Sequence, residues 1–167
     1  MKKTLIASAL LAGALVGGTA VAGAADGGDA GRADHGELVR FAAAPASLEG
    51  HATMVRTGDG STIVSLHVSG LEPGATYGAH VHNRPCSTNL GGTHYEHPGF
   101  EGGPAGYEDE IWPGPFTTNA AGVGRGRVVV PVTAGPDAVS VVVHAPGGTK
   151  IACADLTDAP VFVPDPV

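Results

Sequence analysis

The sequence lacks any stretch of helical periodicity: apolar residues do not recur at the three- and four-residue spacing of an amphipathic helix. This absence excludes helical bundles and folds that alternate helices with strands. The chain instead contains short runs rich in β-branched residues, separated by turns drawn from its 27 Gly and 13 Pro. Short strands at regular spacing, joined by such turns, predict an all-β sandwich or small barrel.

Long apolar runs are missing beyond the first residues. Lys2 and Lys3 precede a short apolar run at residues 5–16, and small residues at 20–24 offer a cleavage site. This order is typical of a secretory signal peptide, here residues 1–24, whose apolar run is too short to span a bilayer. We therefore expect a protein without a membrane span that is secreted or located in the cell envelope or periplasm.

Basic residues are scarce, with 9 Lys and Arg against 16 Asp and Glu, which gives a net charge of −7. Removal of Lys2 and Lys3 with the signal peptide leaves seven basic residues against 16 acidic ones, a net charge of −9. Polyanions are repelled by such a chain, so nucleic acid and anionic membranes are poor candidates for partners.

Sulfur-containing residues are few as well. Cys86 and Cys153 are the only cysteines, and an oxidising compartment favours a bridge between them; two buried thiols are the alternative. A bridge across so long a loop could stabilise the fold by about 4 kcal/mol in the chain-entropy model. A blue-copper site is excluded because Cys153 has no neighbouring His, and Met54 lies far upstream.

The chain divides into segments by composition. Residues 25–36, rich in Gly, Asp and Ala, are predicted to be a flexible linker, residues 37–157 a single β domain, and residues 158–167 a Pro-rich tail. Within the domain, strands are expected at 38–41, 50–56, 62–68, around His80, and at 125–132, 138–144 and 150–156. Residues 91–115, rich in Gly, Pro and acids, predict a long functional loop.

Alternation in the third predicted strand separates two faces. Thr62, Val64, Leu66 and Val68 fall on one face, which we expect to be buried, and this parity directs His67 away from the core. We interpret His67 as a solvated surface imidazole. His35 and His51 receive the same interpretation.

Two other histidines share one face of a predicted strand. His80 and His82 are two residues apart, so their side chains project to the same side and form half of a metal site. Gly91-Gly92-Thr93 then provides a flexible approach that can bring back His94, and His97 follows three residues later. One more ligand must come from a distant segment, where His144 ends a β-branched run.

Taken together, these motifs resemble the copper/zinc superoxide dismutase family. The resemblance covers about residues 50–156 and includes further matches in Gly70-Leu71-Glu72-Pro73-Gly74, Val142-Val143-His144 and Ile151-Ala152-Cys153. It implies an eight-stranded Greek-key β-barrel or sandwich, with copper on its outer wall beneath long loops.

The resemblance also assigns residues. His80, His82 and His144 match copper ligands, and His94 matches the imidazole that bridges copper and zinc in the family. Cys86 and Cys153 match the family's disulfide. Because one residue is inserted relative to the usual Gly-Gly-His, either His94 or His97 could complete the copper shell.

Two departures from the family are informative. The loop that carries the family's zinc ligands offers only His97, and Trp112 stands about where the zinc Asp would be, so we expect no family-type zinc site. An improvised zinc site from His94, His97 and either Asp109 or Glu110 is the alternative. The charged loop that guides superoxide is also absent, and Lys150 replaces the family's Arg.

Together these departures resemble the copper-only branch of the family, in which an acidic residue holds the imidazole that zinc would otherwise orient. Glu110 is the candidate for that role; the alternative is a solvated loop acid. Lys150 would attract the anion, although it lacks the planar fork of Arg. The metal would be copper and the substrate superoxide.

The sequence therefore predicts an exported copper-dependent superoxide dismutase, with Lys150 and His94 as the catalytic residues. A non-catalytic copper-binding module with the same barrel is the main alternative. A structural β-sandwich with incidental histidines is a third hypothesis. The sequence leaves open whether the protein forms a homodimer.

Overall fold

The computed structural model describes residues 31–97 and 109–158. Its only helical element in this part of the chain is a short 3-10 turn, Asn89–Gly91. The strands are β1 (Arg32–Arg40), β2 (Glu49–Arg56), β3 (Thr62–Ser69), β4 (Thr76–His82), β5 (Phe116–Thr117), β6 (Gly124–Val130), β7 (Ser140–His144), β8 (Lys150–Asp155) and the two-residue β9 (Thr157–Asp158). The prediction of an all-β fold is confirmed. No helix in the described residues is long and apolar enough to cross a membrane.

The strands follow the order β5-β4-β7-β8-β1-β2-β3-β6, and every neighbouring pair is antiparallel. β5 and β6, the two ends of this order, also contact each other, so the sheet curls into a nearly closed barrel. β9 pairs with the first half of β1. Because β4 pairs with β7 across two intervening strands, and β7 pairs with β8, the barrel brings residues of β4, β7 and β8 side by side.

The interior of the barrel is filled by alternate residues. Thr62, Val64, Leu66 and Val68 of β3 are buried while the residues between them are partly exposed, so the predicted alternation is confirmed and His67 lies on the outer face. β7 departs from this pattern because all five of its residues are buried. Its outer face is covered by the segment that follows β4.

A disulfide fastens that covering segment. Cys86 and Cys153 are bonded, with an S–S distance of 2.04 Å, and Val142 of β7 packs against them. The backbone N–H of Cys86 also donates to Asp155 Oδ1 at 2.7 Å. The predicted bridge is thus confirmed, and it ties the segment after His82 to β8.

The predicted segment boundaries need two corrections. β1 begins at Arg32, so residues 32–36 of the predicted linker form a strand, because pairing with β2 supplies backbone hydrogen bonds that the local sequence does not signal. Asp158, assigned to the tail, belongs to β9. The predicted signal peptide, residues 25–30 of the linker, residues 98–108 of the long loop and residues 159–167 of the tail lie outside the described residues.

A buried ion pair holds the early part of β1. Asp34 and Arg56 are each 2% exposed, and Arg56 Nη1 donates to Asp34 Oδ2. The guanidinium also donates to the backbone carbonyls of Ala134 at 2.8 Å, Gly135 at 3.2 Å and Ala138 at 3.3 Å. One side chain therefore connects β1, β2 and the segment that leads into β7.

We expect Arg56→Met to destabilise the fold by about 3–5 kcal/mol, because it removes the buried cation of the Asp34 pair and the donor to three backbone carbonyls. The Asp34 carboxylate then retains only Arg32, a partly exposed cation at 2.9 Å. Urea unfolding measures the effect. Arg127→Met is the matched control: this arginine is exposed, and its replacement should change the free energy of unfolding by no more than about 0.5 kcal/mol. Equal losses in the two variants would contradict the assigned role of the pair.

Candidate metal centre

Four imidazoles converge on one wall of the barrel. His80, His82, His94 and His144 each offer a ring nitrogen, and these four atoms lie within 4.8 Å of one another. β4 directs His80 and His82 to the same side, as predicted, with their rings 6.3 Å apart and 6° from parallel. The neighbouring strand β7 ends at His144, which pairs with Gly78 of β4. The arrangement could hold a metal ion.

His94 reaches the cluster through a fixed turn. The residues around it run antiparallel to the end of β4: Tyr95 N–H donates to the Val81 carbonyl at 2.9 Å, and His82 pairs with His94. Gly91 and Gly92 adopt positive φ angles of 88° and 74°. A Cβ at Gly91 would lie 2.7 Å from Val142 Cγ2, so this return of the chain requires glycine.

Outer hydrogen bonds define the orientation of two of the rings. His94 Nδ1 lies 2.8 Å from Glu110 Oε2, and His144 Nδ1 lies 3.1 Å from the Gly148 carbonyl oxygen. An ionised carboxylate and a carbonyl only accept hydrogen bonds, so the proton of each neutral imidazole resides on Nδ1. The Nε2 lone pairs of His94 and His144 are consequently directed into the cluster.

The inner nitrogens face one another at short distances. His94 Nε2 lies 2.6 Å from His80 Nδ1, and His144 Nε2 lies 3.4 Å from His82 Nε2. His82 Nδ1, fully buried, makes no hydrogen bond within the described structure. Several imidazole nitrogens directed at a common point form a donor set that suits copper, zinc and other late transition metals. The chemistry of these residues therefore fits a metal ion.

Burial keeps three of the four imidazoles uncharged. It is the main cause that lowers the pKa of His80 and of His82 to about 3. Repulsion from the neighbouring imidazoles adds to this effect at both residues, and the charge of Lys150 adds to it at His82. Burial likewise lowers the pKa of His144. The neutral imidazole is the form that binds metals, so these three ligands are ready at neutral pH without releasing protons.

Glu110 and Trp112 support the cluster from one side. Glu110 Oε2 accepts hydrogen bonds from His94 and from Trp112 Nε1, the latter at 2.5 Å, so the predicted contact between Glu110 and His94 is present. The Trp112 indole packs against His80 with ring centroids 3.9 Å apart. No sequence pattern predicts this packing, because Trp112 and His80 belong to segments that meet only in the folded barrel.

Lys150 and His97 lie in different surroundings. Lys150 is partly exposed, its Nζ donates to the Gly92 carbonyl, and its charge helps to lower the pKa of His82. His97 instead contacts the Thr133 carbonyl at 3.2 Å and belongs to no group of three metal-binding side chains in the described chain. Of the two alternatives for the fourth ligand, His94 joins the cluster.

The cluster opens to solvent at His94. The side chain of His94 is 31% exposed, whereas His82 is 0% exposed. A groove of about 380 Å³ runs past His94 and is lined by Asn83, Arg84 and Glu96 among others. His94 is the one member of the cluster that lines this groove, so a small molecule can approach the cluster from the His94 side.

Neither a protein-family profile nor a curated protein sequence matches this chain. A function for the centre must therefore follow from its geometry and from the motifs in the sequence.

The low pKa of His82 predicts how stability of the ion-free protein depends on pH. The pKa of His82 is about 3 in the folded protein against an ordinary value of 6.5, so the unfolded chain binds more protons between these pH values and stability falls as pH falls through this window. His82→Gln should lose less stability than the unchanged protein when the pH falls from 7.5 to 4.5. Urea midpoints of chelator-treated protein at the two pH values measure this loss. Equal losses in the two proteins would contradict the role assigned to His82.

Proposed function

We propose that this protein is an exported copper-dependent superoxide dismutase, which converts superoxide to oxygen and hydrogen peroxide without a family-type zinc site. The observation that carries the proposal is the convergence of four imidazole nitrogens within 4.8 Å, in a cluster open to solvent at one ring. The Cys86–Cys153 disulfide is consistent with an oxidising, extracellular environment and supports export.

The strand order supports a Greek-key barrel of the superoxide dismutase type. β7 lies beside β4, β4 pairs with β5, and β5 contacts β6. In four consecutive antiparallel strands, a fourth strand that returns beside the first is the defining feature of a Greek key. The resemblance drawn from the sequence motifs implies the same topology.

The donor set favours copper over other metals. Among divalent first-row ions copper binds nitrogen ligands most tightly, and imidazole suits it. Both cysteines of the chain are bonded to each other, and the cluster contains no carboxylate. A bound copper ion would supply one-electron redox chemistry, by which one superoxide is oxidised to oxygen and a second, with two protons, is reduced to hydrogen peroxide.

The four histidines differ in burial, and we assign them different roles on that basis. His80, His82 and His144 are buried, and their rings are held by packing and by the Gly148 carbonyl, so they would form the rigid part of the binding site. His94 is the exposed member, and its Nε2 is the atom at which a proton could be held for delivery to the peroxide. Glu110 keeps the other proton of His94 on Nδ1.

Glu110 takes the position that a second metal would otherwise fill. A ligand imidazole usually donates its outer N–H to a carboxylate or carbonyl, which fixes the ring and raises its basicity. Here Glu110 accepts that hydrogen bond from His94, and Trp112 in turn holds Glu110. The orientation of His94 can thus be maintained by this chain's own residues.

Lys150 provides local positive charge in an acidic protein. Near a cleft the local field outweighs the net charge, so one ammonium beside the cluster can attract a small anion. One contact favours the alternative of a non-catalytic copper-binding module: Lys150 Nζ is engaged by the Gly92 carbonyl. An ammonium has two further N–H groups, which leaves it able to receive superoxide.

Copper-loaded protein should accelerate superoxide decay in pulse radiolysis, and His80→Ala should abolish both this acceleration and stoichiometric copper binding at the cluster, because one of four ligands is lost. His97→Ala is the control and should retain both, since His97 lies outside the cluster. Stoichiometric copper binding without faster superoxide decay would contradict the enzymatic proposal and support the non-catalytic copper-binding module.

Lys150→Glu should lower the second-order rate of superoxide decay by about tenfold or more, and added salt should then raise the rate instead of lowering it, because the local charge is reversed. Lys150→Gln is the matched control, since it preserves a donor for the Gly92 carbonyl and removes only the charge. It should give an intermediate rate with little salt dependence. An unchanged salt dependence in Lys150→Glu would disprove the role of Lys150 in attraction.

A further inference from the structure

A second set of histidines forms a row on the outside of the barrel. His35 of β1, His51 of β2 and His67 of β3 occupy neighbouring strands, and His51 pairs directly with His67. The ring centroids of His35 and His51 are 5.5 Å apart, as are those of His51 and His67. The interpretation of these residues as surface imidazoles is confirmed, but they contact one another rather than standing alone.

A carboxylate adjoins one end of this outer row. Glu37 follows His35 by two residues on β1, and its Cα partner on β2 is His51. Glu37 Oε1 lies 3.0 Å from His35 Nε2. Two imidazoles and a carboxylate from two hydrogen-bonded strands therefore share a small area of the outer face.

We propose that His35, Glu37 and His51 bind one divalent transition-metal ion, with Cu(II) preferred. Two nitrogen donors and one oxygen donor form a ligand set that suits copper, zinc and nickel, of which copper binds most tightly. We call the group of His80, His82, His94 and His144 the interior cluster. The proposed site is separate from it, because it lies on β1 and β2 rather than on β4, β7 and the segment that carries His94.

The ring separation is compatible with a shared ion. At a metal–nitrogen distance of about 2.0 Å, an imidazole centroid lies about 3.2 Å from the ion, so two rings on one ion have centroids about 4.5 to 6.4 Å apart. The observed separation of 5.5 Å between His35 and His51 falls within that range. We expect an ion to be bound by rotation of these side chains, with the strands unchanged.

Exposure permits this rotation and limits the affinity. The side chains of His35 and Glu37 are 42% and 76% exposed, so both can turn toward an ion. Their ligand atoms and those of His51 are not within 4.8 Å of one another, as those of the interior cluster are. Ordering these three side chains around an ion costs conformational entropy, and we therefore expect weaker binding than at the interior cluster.

Charge places the ion at the Glu37 end of the row. His67 pairs in register with Arg125, which is exposed and helps to lower the pKa of His67, whereas the His35 end carries the Glu37 carboxylate. A cation is attracted by Glu37 and repelled by Arg125. His67 is accordingly assigned to packing against His51 and not to the ligand set.

The test is a titration of the full chain with Cu(II) chloride at pH 7.5, followed by calorimetry and by electron paramagnetic resonance. We expect two equivalents to bind, the second more weakly. His51→Gln should weaken the second equivalent at least about tenfold, a loss of about 1.4 kcal/mol or more, and remove its resonance signal. His80→Ala should disturb only the first equivalent, so the two sites are assessed independently.

Two matched variants complete the test. Thr53→Ala changes the residue opposite His35 on the same face, and His67→Gln removes the imidazole outside the ligand set; both should retain the second equivalent. Absence of a second equivalent, or a second equivalent that His51→Gln leaves unchanged, would overturn the proposal. The proposal would also be overturned if His67→Gln lost the second equivalent while Glu37→Gln retained it, because the ligand set would then be wrong.

Discussion

The centre depends on acceptors that lie outside it. Glu110 and the Gly148 carbonyl can only accept hydrogen bonds, so they hold the protons of His94 and His144 on Nδ1 and direct the Nε2 lone pairs inward. Imidazole lone pairs brought together at such distances repel one another unless a cation lies between them. The electrostatics of the ligand cluster are therefore set by groups that would never touch the ion, and a change in either acceptor alters which nitrogen is available.

The scaffold keeps these groups in place from two sides. On one side, the Cys86–Cys153 disulfide and the Gly91-Gly92 turn hold the segment that carries His94 against β7 and β8. On the other, Trp112 packs on His80 and donates to Glu110, so that packing and hydrogen bonding act through the same side chain. Both supports join segments that are far apart in the chain, and the geometry of the centre consequently depends on closure of the barrel.

The same barrel carries two groups of histidines with different physical properties. In the interior cluster, burial lowers the pKa values of three rings, and fixed neighbours leave little freedom, which suits a permanent metal ion. On the outer face, His35 and His51 are partly exposed and Glu37 is exposed, so all three remain accessible to water. Residue types are similar in the two places, so burial and preorganisation would be what separates a tight metal site from an exchangeable one.

The sequence by itself determined the all-β class, most strand positions, the cysteine pair and the common face of His80 and His82, because alternation, turn residues and residue chemistry are local properties. It also pointed to Glu110 through family resemblance. Only the tertiary structure decided that His94 rather than His97 joins the cluster, that β1 begins at Arg32, and that His35, His51 and Glu37 are neighbours. Strand pairing and its register determine these contacts, and no local pattern in the chain encodes which residues become neighbours.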